Sequence, residues 1–549
     1  MKKLLNILFV VAFPLLAKAQ STYSMEAVGN VSPIILEHVQ KINDNAVTKD
    51  TTLPTPQFTY VVQSKKYATT IKLDTIKSQK IGNEPLNKLY NSYARLGIGN
   101  YSTMMGEISY TSLRSNTGAY GVYLSHMSAG SGPRDVPGEF SGYSKQDANV
   151  YGKLFLKHHT LGGGFDFNRN AIANYGSAAD TSFFKKDQEP SRYNRYTVNG
   201  SLESHYTDST MINHIIGMRY YHLNDLTKTN EDNFALDATL GRYIRTEHLG
   251  ADVGVDINHD KSAKDTANDA IVRFSPSFTT QGNKFRASLG FGLFLDHNAD
   301  STLTYFLPQG SVSYDIIDHI IIPYVELSNH LDRTNFYSLT NANPFLMPSE
   351  IFKARNTLSK YELKLGLKGS MGDEINYDVH VMRYDVKNMP LFVNTTEAQD
   401  VYRNKFVVVY DDASVSNIHG ELGYRHLTKL QLTAAGDWYQ YKMATEAHPW
   451  HTPTLKLSLN ADYNIQDKIV AKMNVYYMNG MYAKVYDGNT ATVRDLKGMV
   501  DVNLGFEYRY SKFLSAYLNL NNIANQRYYR WYGYPMQKFN FVAGLTYTF

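Results

Sequence analysis

The last eleven residues, Phe539 to Phe549, alternate between apolar and polar or small side chains. This strict period of two predicts a β-strand with one apolar face, and eleven residues is about the length of a tilted strand that crosses a bilayer. The same alternation recurs over 361–368, 455–463 and 500–510, where the second face carries charged residues. One face suits lipid and the other requires water, so these segments are predicted to be membrane strands.

Such segments continue through most of the chain. We predict about 22 strands within residues 89–549, the first near 91–98 and the last near 538–549. Short connections alternate with long ones, and counting back from Phe549 places all the long ones at the same end. This arrangement is typical of outer-membrane barrels, which have short periplasmic turns and long external loops. The long connections are predicted over residues 128–145, 169–192, 331–356, 389–405, 481–496 and 522–537.

The sequence therefore predicts an all-β fold, namely a transmembrane antiparallel β-barrel in the outer membrane of a Gram-negative bacterium. The N-terminal residues do not share the alternating pattern. Residues 1–19 combine two lysines, an apolar run and small residues before Gln20, which predicts a cleavable signal peptide. Residues 20–88 hold a proline-containing linker and a few short strand-like pieces, so we predict a short periplasmic or lumenal segment there.

Composition supports the barrel. The chain is 43% hydrophobic and 19% charged, and beyond the signal no stretch approaches the roughly 18 apolar residues of a membrane helix. Its 43 Tyr and 26 Phe suit the aromatic girdles of a barrel. The chain contains no cysteine, which excludes a disulfide framework, and its net charge of +4 gives no indication of nucleic acid. Outer-membrane lipid is the partner that the sequence predicts.

The end of the chain also carries a family resemblance. The run Leu518–Tyr529, the tripeptide Gly533-Tyr-Pro535 and the final strand resemble the close of a TonB-dependent receptor barrel. Asn343-Pro-Phe-Leu346 lies where such barrels carry a similar piece, and the opening of the barrel at Leu89–Tyr101 resembles barrels of the Bacteroidota. The resemblance implies transport or binding of a solute at the cell surface. It also implies that the last strand acts as a barrel-assembly signal through Phe541, Leu545, Tyr547 and Phe549.

The resemblance does not extend to the plug that precedes the barrel in this family. Residues 20–88 are too few for a plug and contain no segment like the TonB-contacting box, so TonB contact is not expected. Two functions therefore remain open. One is a TonB-receptor-like barrel for solute transport or binding without an evident plug. The other is a non-transporting subunit or scaffold of an envelope complex for outer-membrane protein assembly or export, with other envelope proteins as partners.

One predicted outer loop is rich in residue types that dominate binding hot spots. Its candidate surface-contact residues are Arg527, Tyr528, Tyr529, Arg530, Trp531, Tyr532 and Tyr534. The alternative is that the loop packs on itself and continues the aromatic girdle at the membrane interface.

No motif predicts catalysis. The loop His448-Pro-Trp-His451 offers two metal ligands, but without cysteine or a suitably spaced carboxylate we favour ordinary loop histidines. His158 and His159 fall in one predicted strand and should point to opposite faces. Gly162-Gly-Gly164 lacks the context of a phosphate loop and indicates a close-packed barrel strand. We therefore expect no catalytic, cofactor or metal site, no cofactor and no enzymatic activity.

Overall fold

The structure is a computed structural model that describes residues 90–133, 136, 141–176, 190–298, 301–400, 403–488 and 490–549. The predicted signal peptide (1–19) and N-terminal segment (20–88) lie outside the described residues. Among the residues described, no helix is long and apolar enough to cross a bilayer.

The described chain forms a closed antiparallel sheet of 22 strands, as the sequence predicts. In chain order the strands are β1 (Ser92–Gly99), β2 (Thr103–Thr111), β3 (Gly118–Ala129), β4 (Tyr143–Phe155), β5 (His159–Ile172), β6 (Ser191–Ser204), β7 (Asn213–Asp225), β8 (Asn230–Ile244), β9 (Glu247–Lys261), β10 (Thr266–Gln281), β11 (Phe285–Asn298), β12 (Ser301–Tyr314), β13 (Ile322–Asp332), β14 (Thr357–Met371), β15 (Ile375–Asn394), β16 (Phe406–His426), β17 (Leu430–Met443), β18 (Leu455–Ile465), β19 (Ile469–Asn479), β20 (Met481–Asp487), β21 (Thr490–Leu496), β22 (Met499–Arg509), β23 (Leu514–Asn521), β24 (Tyr529–Trp531), β25 (Tyr534–Pro535) and β26 (Asn540–Thr548). Strands β20–β21 and β24–β25 form two hairpins outside the barrel wall. A helix α1 (Phe336–Ala342) and a 3-10 helix (Pro348–Lys353) lie between β13 and β14.

The ring closes where β26 pairs with β1. Leu545 lies opposite Leu96, and the backbone N–H of Phe549 donates to the carbonyl of Ser92 at 2.9 Å. The N–H of Ser92 in turn donates to the carbonyl of Phe549 at 3.2 Å. Closure leaves the wall without an unpaired edge, which is the condition for placing a sheet in hydrocarbon.

The outer face of the wall is apolar and exposed. On β22, Phe506 and Tyr508 are 40% and 50% exposed, while the alternate residues Glu507 and Arg509 pair on the inner face at 3.5 Å. Exposed apolar side chains alternate with inward polar ones because successive strand residues point to opposite faces. A closed wall with an apolar outer band confirms the predicted location in the outer membrane.

The long connections lie at one end of the barrel, which is extracellular in such proteins. The predicted loop 389–405 is shorter than expected, because β15 continues to Asn394. Leu391 and Val393 in this extension are fully buried and pack with Trp450, which favours continued pairing with β16. The predicted loop 481–496 is folded as the β20–β21 hairpin.

The prediction for the histidine pair is wrong in one respect. Strand β4 ends at Phe155 and β5 begins at His159, so His158 lies in the turn rather than in the same strand as His159. Both imidazole rings contact Tyr206 at the periplasmic end, with ring centroids 5.6 Å and 5.4 Å away.

Candidate functional site

Five extracellular loops pack together over one end of the barrel, and we call this assembly the cap. Their described residues belong to loop A (173–176 and 190, between β5 and β6), loop B (333–356, between β13 and β14), loop C (395–400 and 403–405, between β15 and β16), loop D (444–454, between β17 and β18) and loop E (522–539, between β23 and β26). Around the ring, loops A and B are separated by eight strands, B and E by eight, and E and A by six. Contacts among these three loops therefore span the mouth.

Three aromatic rings, one from each of loops A, B and E, meet at a junction. The rings of Phe345 and Tyr534 stack with centroids 3.5 Å apart, and Tyr175 meets Tyr534 edge-on at 5.1 Å. The hydroxyl of Tyr175 donates to the carbonyl of Pro535 at 3.0 Å, and that of Tyr534 donates to the carbonyl of Asn404 in loop C. Aromatic stacking and buried hydroxyl hydrogen bonds thus tie four loops together.

The junction leaves no space beside it. A Cβ placed on Gly176 in loop A would lie 2.2 Å from the ring of Tyr534. Only glycine therefore allows loop A to approach loop E this closely, because any side chain would displace the ring.

Trp531 of loop E forms a second aromatic group beside the junction. Its indole contacts Phe392, Phe406 and His451, with centroids 5.1 Å, 5.6 Å and 5.1 Å away. The guanidinium of Arg530 lies 5.0 Å from the centre of the Trp531 ring, which is a cation–π distance. Loop E is thereby attached to the extended ends of β15 and β16 and to loop D.

His451 is buried in the cap with both ring nitrogens engaged by the backbone. Its Nδ1–H donates to the carbonyl of Phe392 at 3.0 Å, and its Nε2 accepts the N–H of Tyr532 at 3.2 Å. Burial lowers the pKa of His451 to about 3, because the charged imidazolium would lose its hydration. His451 is therefore neutral near pH 7 and acts as a structural link between β15 and loop E.

Loop B is anchored to the barrel wall at its first residue. The Nε of Arg333 lies 2.7 Å from Oδ1 of Asp256 on β9, and Nη1 pairs with Asp269 on β10. The Arg333 side chain is only 9% exposed, and its Nη2 also donates to the carbonyl of Asp256 at 2.7 Å. A buried charge is tolerated here because two carboxylates pair with it.

The helix that follows is held by a third carboxylate. Glu231 on β8 is fully buried and accepts the N–H groups of Phe336 and Tyr337 at 2.6 Å and 3.2 Å. Asn335 caps the same helix through the N–H of Ser338 at 3.0 Å. The free N–H groups at the start of α1 are thus satisfied, and the helix is fixed against strands β7 to β9.

Beneath the cap the inner face of the wall is polar. On β22 and β18–β19, Arg509 pairs with Glu507 at 3.5 Å and Lys472 with Asp462 at 4.0 Å. The charges in these pairs neutralise each other and remain hydrated, as expected for a water-filled lumen. The charged positions predicted to face the lumen are Lys456, Asp462, Lys472, Asp501, Glu507 and Arg509.

The seven candidate contact residues of loop E differ in burial: two are buried, one is exposed and four are half-buried. Trp531 and Tyr534 are buried in the cap, so their rings do not form an outer surface. Arg527 is exposed. The remaining four are half-buried, and among them Tyr528 donates its hydroxyl to Asp501 of the wall at 2.7 Å. These contacts join loop E to other loops and to the wall, rather than packing the loop on itself.

Sequence reasoning missed the partners of loop E. The sequence around Tyr175, Phe392 and Phe406 contains no motif, and no periodicity distinguishes these residues from their neighbours. Phe345 is different, because it lies in Asn343-Pro-Phe-Leu346, which resembles a piece found in receptor barrels. Together with Gly533-Tyr-Pro535, which contains Tyr534, that motif was the available signal for the junction.

No protein-family model and no curated protein sequence matches the chain. Solved structures do match it. The ferripyoverdine receptor of the outer membrane of Pseudomonas aeruginosa is 13% identical with a TM-score of 0.62, over 84% of this chain and 72% of that one. The copper transporter OprC is 13% identical with a TM-score of 0.62, over 84% and 81%. The FrpB iron transporter from Neisseria meningitidis is 9% identical with a TM-score of 0.64, over 84% and 82%.

At these identities the likeness shows a shared fold. The protein is an outer-membrane β-barrel of the large, 22-stranded class. Within that class it has the fold of the TonB-dependent receptors, as the resemblance of its closing residues indicates.

Proposed function

We propose that this barrel binds a solute at the cell surface and admits it through the outer membrane when the cap opens. The junction of Tyr175, Phe345 and Tyr534 over a polar lumen is the observation that carries the proposal. A barrel of this size is too wide for its own side chains to fill. A cap built from loops at three parts of the ring gives such a lumen a selective entrance.

The proteins of the same fold support uptake at a general level. They are named as a ferripyoverdine receptor, a copper transporter and an iron transporter, and none of these is named as an enzyme. We assign the control of entry to the cap, because loops A, B and E meet over the lumen. The proposed contact surface for the solute is the accessible part of loop E, principally Arg527 with the half-buried Tyr529 and Tyr532.

The proposal is tested by permeability of the purified protein in liposomes. We expect slow swelling with the native protein and at least about tenfold faster swelling with Tyr534→Ala, because truncating a buried aromatic costs about 3 kcal/mol or more of packing. Tyr314→Ala is the control, since this ring is exposed on the outer face at the far end of β12. A deletion strain should also lose uptake of the solute.

The scaffold function makes the opposite prediction. If neither the native protein nor Tyr534→Ala passes any solute, and mild detergent recovers the barrel with stoichiometric envelope proteins, the uptake proposal is overturned.

A further inference from the structure

An apolar groove of about 1040 Å³ runs along the lipid-facing side of the wall, across β3 to β8. This volume is at the upper end of the roughly 300–1,000 Å³ typical of small-ligand pockets. Its sides are formed by outward residues such as Leu154, Leu161, Met218 and Leu236. The groove lies close to the β2–β3 turn, and therefore in the half of the wall that faces the periplasmic leaflet.

The floor of the groove is a row of three glycines on adjacent strands. Gly152 on β4 pairs with Gly163 on β5, and Gly163 pairs with Gly200 on β6. The row ends at Tyr120 on one side and at Met218 on the other. We call these three residues the glycine row. Along this row the backbone itself forms the lipid-facing surface.

The fold does not require glycine at these positions. A Cβ on Gly152 would meet nothing within 4 Å, and one on Gly163 would meet only the carbonyl of Asn199 at an ordinary 3.5 Å. A Cβ on Gly200 would meet only the flexible end of Met218. None of the three has a positive φ, and the pairing of β4, β5 and β6 contains no bulge.

Glycine in a strand lowers stability relative to residues with side chains. The usual reasons for its presence in a strand are a bulge, a tight bend or the close approach of a ligand or another backbone. The regular pairing excludes a bulge, and open space above the floor excludes close packing within the chain. The prediction of a close-packed strand at Gly162-Gly-Gly164 therefore holds for the inner face, where a Cβ on Gly162 would meet Ser201, and not for the outer face at Gly163.

The charges at the periplasmic end of the groove indicate what approaches the row. Arg114 lies in the β2–β3 turn between Leu113 and Ser115, which both line the groove. Lys157 lies in the β4–β5 turn, three residues after Leu154 of the groove wall. Both basic residues are exposed in turns at the periplasmic end of the barrel, and basic residues beside a membrane attract anionic headgroups. A ligand with an apolar chain and an anionic headgroup would complement both the apolar groove and the two basic residues at its periplasmic end.

We propose that this groove binds an anionic phospholipid of the inner leaflet, with one acyl chain along the glycine row and its phosphate at Arg114 and Lys157. The apolar side chains of the groove contact the acyl chain, which lies against the backbone of the glycine row. Arg114 and Lys157 pair with the anionic phosphate and so favour an anionic lipid. The site is on the outer wall and involves no residue of the cap, so it is independent of the proposed uptake function.

The test is native mass spectrometry of the full-length protein in detergent with added phosphatidylglycerol. We expect the native protein to retain roughly one phosphatidylglycerol per chain and Gly163→Leu to retain none above background, because the leucine fills the groove. Gly420→Leu is the matched control, since Gly420 on β16 also has open space around its Cβ and lies outside the groove. Equal retention by the native protein and Gly163→Leu overturns the proposal.

A second variant keeps the test independent of barrel assembly. Arg114→Gln with Lys157→Gln changes only exposed turn residues, and we expect on the order of tenfold weaker phosphatidylglycerol binding. Lys429→Gln, in the exposed β16–β17 turn, should leave binding unchanged. A native protein that forms a dimer which Gly163→Leu abolishes would identify a second copy as the occupant and overturn the lipid assignment. Liposome swelling, measured in parallel, separates any failure here from failure of the uptake proposal.

Discussion

At the scale of single residues, His451 makes the cap sensitive to pH. The folded protein holds this imidazole neutral down to a pKa of about 3, whereas an unfolded histidine takes up a proton near pH 6.5. Between these values the opened state binds more protons than the closed state, so cap stability falls as the pH is lowered from 6.5 toward 3. At pH 5 the expected loss is about 2 kcal/mol.

This prediction is measured by tryptophan fluorescence. Trp450 and Trp531 both lie in the cap, so a Trp438→Phe background reports on the cap alone. We expect the emission to shift to longer wavelength between pH 7.5 and pH 5, as water reaches the indoles. His451→Asn should remove this pH dependence, and His448→Asn, which leaves the buried ring in place, should retain it. A cap signal that is flat across this range in the native protein contradicts the assignment.

At the scale of elements, loop B depends on its anchor to the wall. Arg333→Met keeps the length of the side chain but leaves Asp256 and Asp269 without their cation. Removing one partner of a buried ion pair typically costs about 3–5 kcal/mol, so we expect loop B to detach while the barrel remains assembled.

Limited proteolysis of the detergent-solubilised protein measures this detachment as faster cleavage within residues 333–356. Arg355→Met is the matched control, because it makes the same substitution at an exposed position of the same loop, where a change of side chain alters stability little. Equal cleavage of the two variants would show that the anchor does not hold the loop.

At the scale of the whole molecule, the barrel depends on a seam between its first and last strands. Phe549 contributes the two terminal backbone hydrogen bonds of this seam with Ser92, and Leu545 and Tyr547 face lipid beside it. Deleting Phe549 should therefore lower the fraction of chains that close and reach the outer membrane.

Heat-modifiable migration on gels measures the closed fraction, because a closed barrel resists detergent until it is boiled. We expect the deletion to reduce the fast-migrating form, and Tyr314→Ala, which removes a lipid-facing aromatic away from the seam, to leave it unchanged. A deletion variant that closes normally would remove the basis for an assembly signal at Phe541, Leu545, Tyr547 and Phe549.

The sequence by itself determined the wall. Alternation in strands such as 500–510 follows from local backbone geometry, and a bilayer on one side with water on the other imposes the same pattern on each strand. The strand number, the end that carries the long loops and the outer-membrane location all derive from that pattern.

The tertiary structure alone decided the cap and the groove. Tyr175, Phe345 and Tyr534 are far apart in the chain and meet only because the ring brings their loops over one opening. Gly152, Gly163 and Gly200 form a row only because the register of β4, β5 and β6 places them side by side. Contacts across a closed sheet depend on which strands become neighbours, and no local period in the sequence encodes that choice.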